Sequence, residues 1–156
     1  MMDKVIQVLM GGLGSLGFDI LFNIRGRKLL VASLGGLISW TVFLLLEPVL
    51  PGEAIRFFFA AAAVTVYGEV FARIEKTPTT TFLVPSIIPL IPGGSLYYTM
   101  NFALNKQWTE FSQQGYYTLQ LALALALGII AATTVFRLLT AVRKRLSKGA
   151  VFGLFH

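Results

Sequence analysis

The sequence predicts an all-α integral membrane protein with five transmembrane helices, of which the fourth is broken. Two observations predict the class: 56% of the 156 residues are hydrophobic, and only 13% are charged. A soluble domain of this size needs far more polar surface. A third observation, a cluster of prolines and glycines inside the fourth apolar segment, predicts the break.

Five apolar segments are each near or above the roughly 20 residues that a helix needs to cross the hydrocarbon. They span residues 4–22, 29–46, 54–72, 79–104 and 116–136. We expect one transmembrane domain over residues 1–156, with a basic cytoplasmic tail at residues 137–156. The N-terminal segment has no small-residue cleavage site, so it is interpreted as a retained span and not as a signal peptide.

The loops between these segments alternate in charge. The loop at 23–28 holds three basic residues and the loop at 73–78 holds two, whereas the loop at 47–53 holds two acids and no base. Basic loops mark the cytoplasmic side of a membrane protein. The alternation therefore predicts an N-terminus outside the cell and a C-terminus inside it.

The fourth segment, residues 79–104, is hard to explain as an ordinary span. It reads TTTFLVPSIIPLIPGGSLYYTMNFAL and contains Pro85, Pro89 and Pro92. Each proline lacks an N–H group and leaves the carbonyl four residues earlier without its helical partner. In hydrocarbon such a break is tolerated only where protein or a water-filled cavity covers it, and broken helices at membrane depth can form substrate sites.

The prolines are followed by residues that can begin a second half-helix. Ser95 is positioned to cap a helix running from Leu96, whose N-terminus would carry partial positive charge and could bind a carboxylate on its N–H groups. The candidate substrate-binding residues are therefore Pro85, Pro89, Pro92, Gly93, Gly94 and Ser95. The alternative is a kinked structural helix without a ligand, but three prolines and two glycines in ten residues exceed what a kink requires.

Glu69 lies inside the third span, where a carboxylate is costly and is by default a functional candidate. Burial would allow it to take up and release a proton during a transport cycle. Arg73, four residues later, offers the alternative of a helical ion pair. Proton coupling and ion pairing are therefore both open interpretations of Glu69.

Asp19, near the inner end of the first span, is the second candidate for proton coupling. It could line a cavity with Asn23, which lies one turn further along the helix. The alternative is an ion pair with Arg25 or Arg27 in the loop that follows.

Other function classes find no support in the sequence. There is no cysteine, and the one histidine, His156, is the last residue, where no geometry is held. No enzyme signature, metal site or cofactor motif is present, so we expect neither catalysis nor a cofactor. The net charge of +6 comes from basic residues at span ends, which is the membrane pattern and not a nucleic-acid surface. Small residues one turn apart predict close helix contacts within the bundle or with a partner.

The third and fourth segments carry a pattern that resembles a known family. The pattern consists of Gly68-Glu69, Ala72-Arg73, Lys76–Pro78, Thr81–Pro85 and Ile87–Gly93. It is similar to the threonine/serine exporter family, and more narrowly to the smaller, C-terminal-type module of that family. The resemblance covers nearly the whole chain.

The resemblance implies a multi-pass protein of the bacterial cytoplasmic (inner) membrane that exports small amino acids or dicarboxylates, driven by the proton gradient. The family's complete transporter joins this module to a larger one, so the expected partners are a larger exporter-family subunit, as in split two-subunit succinate exporters, or a second copy of the chain. The expected substrate is a small carboxylate. The alternative is a non-transporting membrane scaffold or assembly subunit.

Overall fold

The computed structural model describes the backbone of residues 2–152 and the side chains of residues 2–142. Residues 143–156, which include most of the predicted basic tail and His156, lie outside the range of described side chains. Within it the chain is all-helical, with six α-helices and one 3₁₀ turn: α1 (Met2–Leu21), α2 (Arg27–Leu45), α3 (Glu53–Ile74), α4 (Thr80–Ile87), the 3₁₀ turn (Ile88–Leu90), α5 (Gly93–Leu104) and α6 (Trp108–Phe152).

Four of these helices, α1, α2, α3 and α6, are long and apolar enough to cross a membrane. Residues 80–90 and α5 meet the same criteria only as a pair, and the pair is bent by 56°. The described residues therefore contain four spans, or five if the bent pair is one span. This confirms the all-helical membrane class, while the direction of insertion stays a prediction.

Helix α6 is much longer than the predicted fifth span at 116–136. It begins at Trp108, directly after a turn in which Lys106 has a positive φ of 58°, and it continues to Phe152. Residues 109–114, which are polar except for Phe111, lie outside the predicted span, but none of them is a glycine or a proline that would stop a helix. Apolarity marks the part of a helix that lies in hydrocarbon and not the residues at which the helix ends.

The two halves of the broken span have different neighbours. Helix α4 packs against α2 and α3 and also touches α1, whereas α5 packs chiefly against α6. Helix α3 lies between α2 and α6 and contacts both. The first half is therefore part of the α1–α3 bundle, and the second half belongs to α6.

Glycines allow these helices to approach closely, as the small-residue spacing predicts. A methyl group added at Gly128 of α6 would lie 2.3 Å from the carbonyl oxygen of Phe58 on α3. In contrast, nothing lies within 4 Å of the position that a methyl group would take at Gly14 or Gly17 of α1. The repeat of glycines in α1 is therefore only partly used in packing within this chain.

Polar contacts hold the loops together at the two ends of the bundle. At the basic end, where residues 22–26 meet residues 75–79, Arg27 Nε lies 3.4 Å from Glu75 Oε1. At the acidic end, Lys4 donates a hydrogen bond to Glu47, and this hydrogen bond lowers the pKa of the Glu47 carboxyl. The two contacts tie α1 and α2 to the loops that flank α3.

The close approach at Gly128 leads to a stability prediction. Gly128→Ala should lower the free energy of unfolding by about 1–3 kcal/mol, the usual cost of overpacking, because the obstacle is backbone and cannot rotate away. Gly14→Ala is the matched control and should be neutral or slightly stabilising, because alanine favours a helix over glycine. Denaturant unfolding in detergent micelles measures both, and equal effects would contradict the packing of α6 on α3.

Candidate functional site

The break in the fourth span lies between two short helices of the described chain. Helix α4 contains Pro85, and the 3₁₀ turn after it contains Pro89. The turn is followed by Ile91, whose backbone is extended with a ψ of 123°. The eight residues of α4 and the three of the turn rise about 18 Å, which is more than half of a hydrocarbon core of about 30 Å. The predicted break is therefore confirmed as a bend of 56° between the two helical parts.

A side chain from another helix covers the carbonyl of Pro85, which Pro89 deprives of its helical donor. The hydroxyl of Ser15 on α1 donates to this oxygen at 2.8 Å, and Ser15 is fully buried. The N–H of Ile88 also points to the same oxygen. The partner required in hydrocarbon is thus protein, and not a ligand, at this point of the break. The sequence marked Ser15 only as a small residue for packing.

Two glycines of α2 make room for two serines near the break, Ser15 on α1 and Ser86 on α4. A methyl group added at Gly36 would lie 1.9 Å from Ser15 Oγ, and one added at Gly35 would lie 1.8 Å from Ser86 Oγ. Ser86 is fully buried and donates to the carbonyl of Phe82 at 2.6 Å. The first half of the broken span is therefore fixed against α1 and α2 by serine–glycine contacts.

The second half of the broken span differs from the prediction at its first residues. Helix α5 begins at Gly93 with Pro92 before it, so the expectation that Ser95 caps the helix is wrong. Proline ends the extended segment and has the φ that a helix start requires, which moves the start three residues earlier. The Ser95 hydroxyl instead lies 2.7 Å from Thr118 Oγ1 on α6.

Only part of the predicted set of amide donors is available at the start of α5. The Gly93 N–H donates to the carbonyl of Ile91 at 2.7 Å, and helical bonding resumes with Leu96, whose N–H donates to Pro92. The amides of Gly94 and Ser95 lie between these two. No atom lies within 4 Å of a methyl group placed at Gly93 or Gly94. This helix start therefore faces out of the described bundle and is not enclosed by it.

The basic end contains a pocket that the sequence did not predict. Its volume is about 520 Å³, and Pro85 forms part of its wall. Two cations, Arg25 and Lys28, and two hydroxyl residues at the start of α4, Thr80 and Thr81, line it as well. Because α4 begins at this wall, the positive end of its dipole lies there too. We call this cavity the basic-end pocket; its lining suits a carboxylate.

Glu69 is largely buried between α3 and α6 and has a cationic partner. Its Oε2 lies 3.7 Å from Arg73 Nη2, as the ion-pair interpretation predicts. Arg73 also donates to Thr140 Oγ1 at 3.1 Å and lies over the ring of Phe136 at 4.4 Å. The pair therefore connects α3 to α6, and a role of Glu69 in proton coupling stays a prediction.

Asp19 is fully buried and makes neither of the two arginine contacts that the sequence suggested. Arg25 donates to Asn23 Oδ1 at 2.8 Å, and Arg27 pairs with Glu75, so the expected ion pair is wrong. Both guanidinium groups therefore have partners other than Asp19. Ser33 Oγ on α2 lies within hydrogen-bond distance of Asp19 Oδ2, at 2.7 Å, instead. Asn23 lines the basic-end pocket, one turn beyond Asp19.

Comparison with known proteins identifies the family. The family model described as "Threonine/Serine exporter, ThrE" matches residues 7–135. The chain belongs to the threonine/serine exporter family. Members of this family are transporters and not enzymes, and the apolar helices fit a multi-pass membrane protein. No curated protein and no solved structure matches the chain. The matched range contains the broken span, both buried carboxylates and the basic-end pocket.

The contact between Ser15 and Pro85 can be tested by a double-mutant cycle. Ser15→Ala should cost about 0.5–1.5 kcal/mol of unfolding free energy, because it leaves the Pro85 carbonyl with the Ile88 N–H as its remaining donor. In a Pro89→Ala background the cost should shrink, because residue 89 then has an N–H for the same carbonyl.

Ser39→Ala is the matched control for this cycle. Ser39 is equally buried, but it donates to Gly36 within its own helix, so its loss should not depend on residue 89. Additive effects of Ser15→Ala and Pro89→Ala would contradict the assigned contact.

Proposed function

We propose that this chain is the small subunit of a secondary exporter for small carboxylate metabolites, which range from dicarboxylates such as succinate to threonine and serine. The observation that carries the proposal is the broken span, which starts at a cationic pocket in a chain of the exporter family. A broken helix bound into a bundle at one half and open at the other is a common basis for substrate sites in transporters.

The basic-end pocket is the proposed entry site for the substrate. Lys28 is partly buried, and Arg25 stands beside it on the same wall. Hydroxyls of Thr80 and Thr81 can donate to a carboxylate whose charge the two cations balance. A volume of about 520 Å³ is within the range of small-molecule sites. No Asp or Glu lines this pocket, so none of its side chains would balance the ammonium group of a zwitterion. This lining favours a dicarboxylate.

From this pocket the proposed route follows the break. Pro85 lines the pocket, Pro89 and Pro92 interrupt the helix beyond it, and the amides of Gly94 and Ser95 lie at the far side. Those amides can accept a carboxylate leaving the pocket. The two halves of the route have different helices as neighbours, so one half can shift without the other.

A partner subunit is part of the proposal. The start of α5 has open space around Gly93 and Gly94, and α5 packs chiefly on α6. Backbone donors at membrane depth need protein or water beside them. We expect a larger exporter-family subunit, or a second copy of this chain, to complete the enclosure in the bacterial inner membrane.

Proton coupling completes the proposed mechanism. Export against a gradient needs an energy source, and a buried carboxyl that exchanges its proton with water can supply the coupling. Glu69 and Asp19 are the two intramembrane candidates. Glu69 has a cation at 3.7 Å, whereas Asp19 has a serine hydroxyl at 2.7 Å.

The alternative function is a non-transporting scaffold. The glycine face of α1 at Gly14 and Gly17, where no described residue lies within 4 Å of an added methyl group, favours it because small residues accept a neighbouring helix closely. A transport assay distinguishes the exporter function from the scaffold function. A scaffold leaves flux to the larger subunit alone, whereas an exporter subunit contributes residues whose replacement changes substrate affinity.

The test is succinate efflux from liposomes that contain this chain, the larger subunit, or both. Lys28→Gln should raise the apparent KM for succinate about 5- to 10-fold, because one charged hydrogen bond is lost from a partly exposed site. The rise should be smaller for serine, which has one carboxylate.

Lys76→Gln is the matched control, since Lys76 is an exposed lysine at the same end that does not line the pocket. Equal KM values for Lys28→Gln and the unmodified pair would contradict the entry site. Full flux with the larger subunit alone would favour the scaffold.

A further inference from the structure

The Ser33 hydroxyl lies within hydrogen-bond distance of two oxygens, but it has only one proton to donate. Ser33 Oγ lies 2.7 Å from Asp19 Oδ2 and 2.8 Å from the carbonyl oxygen of Leu29. Both of these oxygens are acceptors if Asp19 is ionised, and a serine hydroxyl has a single proton to donate. A proton on Asp19 resolves the conflict. The carboxylic acid then donates to Ser33 Oγ, and Ser33 donates to Leu29.

The surroundings of Asp19 also lack the partners that an ionised carboxylate needs. Asp19 is fully buried, and its second oxygen, Oδ1, has no hydrogen-bond partner. Among the described side chains no Lys or Arg nitrogen forms a salt bridge with it. A buried charge without a partner is far more costly than a neutral acid in the same place.

The helices packed on α1 bring few charges to this site. Helix α2 has only Arg27, which pairs with Glu75, and Lys28, which lines the basic-end pocket. Helix α4 and the 3₁₀ turn contain no titratable side chain. On α1 itself the other charged residues are Asp3 and Lys4, at the opposite end of the helix.

We propose that Asp19 carries the transported proton and that Ser33 is its hydroxyl switch. In the protonated state Asp19 donates to Ser33, and Ser33 donates to Leu29. When the proton leaves to water, the Ser33 hydroxyl turns and donates to Asp19 Oδ2, and Leu29 keeps its helical N–H partner. No bond other than O–H is made or broken, and the proton returns from water in the next cycle.

The proposed route for water to this pair runs from the basic end. A second cavity there has a volume of about 380 Å³; its walls include Ile20, Leu29 and the cation Arg25, but neither Asp19 nor Ser33. Ile20 follows Asp19 in the sequence, and Leu29 is the carbonyl partner of Ser33. The proton therefore has a short route between the buried acid and the side on which the proposed substrate enters.

The pair is also connected to the break. Ser15 and Asp19 are four residues apart on α1, so they lie on one face of the helix. Ser15 holds the Pro85 carbonyl, and Asp19 contacts α2 through Ser33. Loss or uptake of the Asp19 proton would therefore change the contact between α1 and α2. The same contact positions Ser15, which donates to the Pro85 carbonyl.

Infrared difference spectroscopy of the two-subunit complex in liposomes tests the protonation state. At pH 7 we expect the carbonyl band of a protonated carboxylic acid in the unmodified complex. Asp19→Asn should remove this band, whereas Ser33→Ala should shift it and Ser33→Thr should restore it. Asp3→Asn, a matched change at the exposed end of the same helix, should leave it intact. Absence of the band, or its removal by Glu69→Gln instead, would overturn the assignment.

Flux tests the coupling, and this part rests on the proposed function. Asp19→Asn should abolish the response of succinate efflux to an imposed pH gradient, while Asp3→Asn keeps it. If Asp19→Asn responds normally, the inference fails and the exporter stands. If the infrared band is present but no combination of subunits moves succinate, the proposed function fails and the protonated Asp19 stands.

Discussion

The structure depends on one constraint: a carbonyl oxygen inside hydrocarbon needs a hydrogen-bond donor. Pro89 removes the helical donor of the Pro85 carbonyl, and the Ser15 hydroxyl at 2.8 Å joins the Ile88 N–H as a donor to this oxygen. That contact in turn requires α1 and α2 to approach closely, which Gly36 allows because it has no side chain. The interruption of the helix is therefore stabilised by packing across three helices and does not arise from flexibility.

The same constraint divides the fourth span into two parts with different neighbours. The first part is enclosed by α1, α2 and α3, and it begins at a pocket with two cations. The second part lies on α6 and presents the amides of Gly94 and Ser95 toward open space. A small carboxylate would meet charge first and backbone donors second. Asp19 lies on the same face of α1 as Ser15, so the proposed proton site and the break share the contact between α1 and α2.

Local chemistry explains what the sequence could predict. Apolar runs located the spans, and three prolines located the break, because both depend on residues close together in the chain. Contacts between helices were not predictable in this way. Ser15 and Pro85 are 70 residues apart, and Asp19 and Ser33 are 14 apart, so their pairing requires the register of neighbouring helices. The basic-end pocket was missed because its cations were interpreted as markers of the cytoplasmic side and, for Arg25, as a partner of Asp19. Ser95 was wrong as a cap because Pro92 starts the helix earlier.

Thiol labelling along the fourth span tests the central claim most directly, since the chain contains no cysteine. Single cysteines at residues 81–94 would be exposed to a membrane-impermeant thiol reagent from each side of sealed vesicles containing both subunits. We predict that Val84→Cys, in the wall of the basic-end pocket, is labelled from one side and protected by succinate, while Phe82→Cys, which is fully buried, is not labelled. A segment with no labelled position from either side would be a helix sealed in lipid or protein, and it would contradict the account.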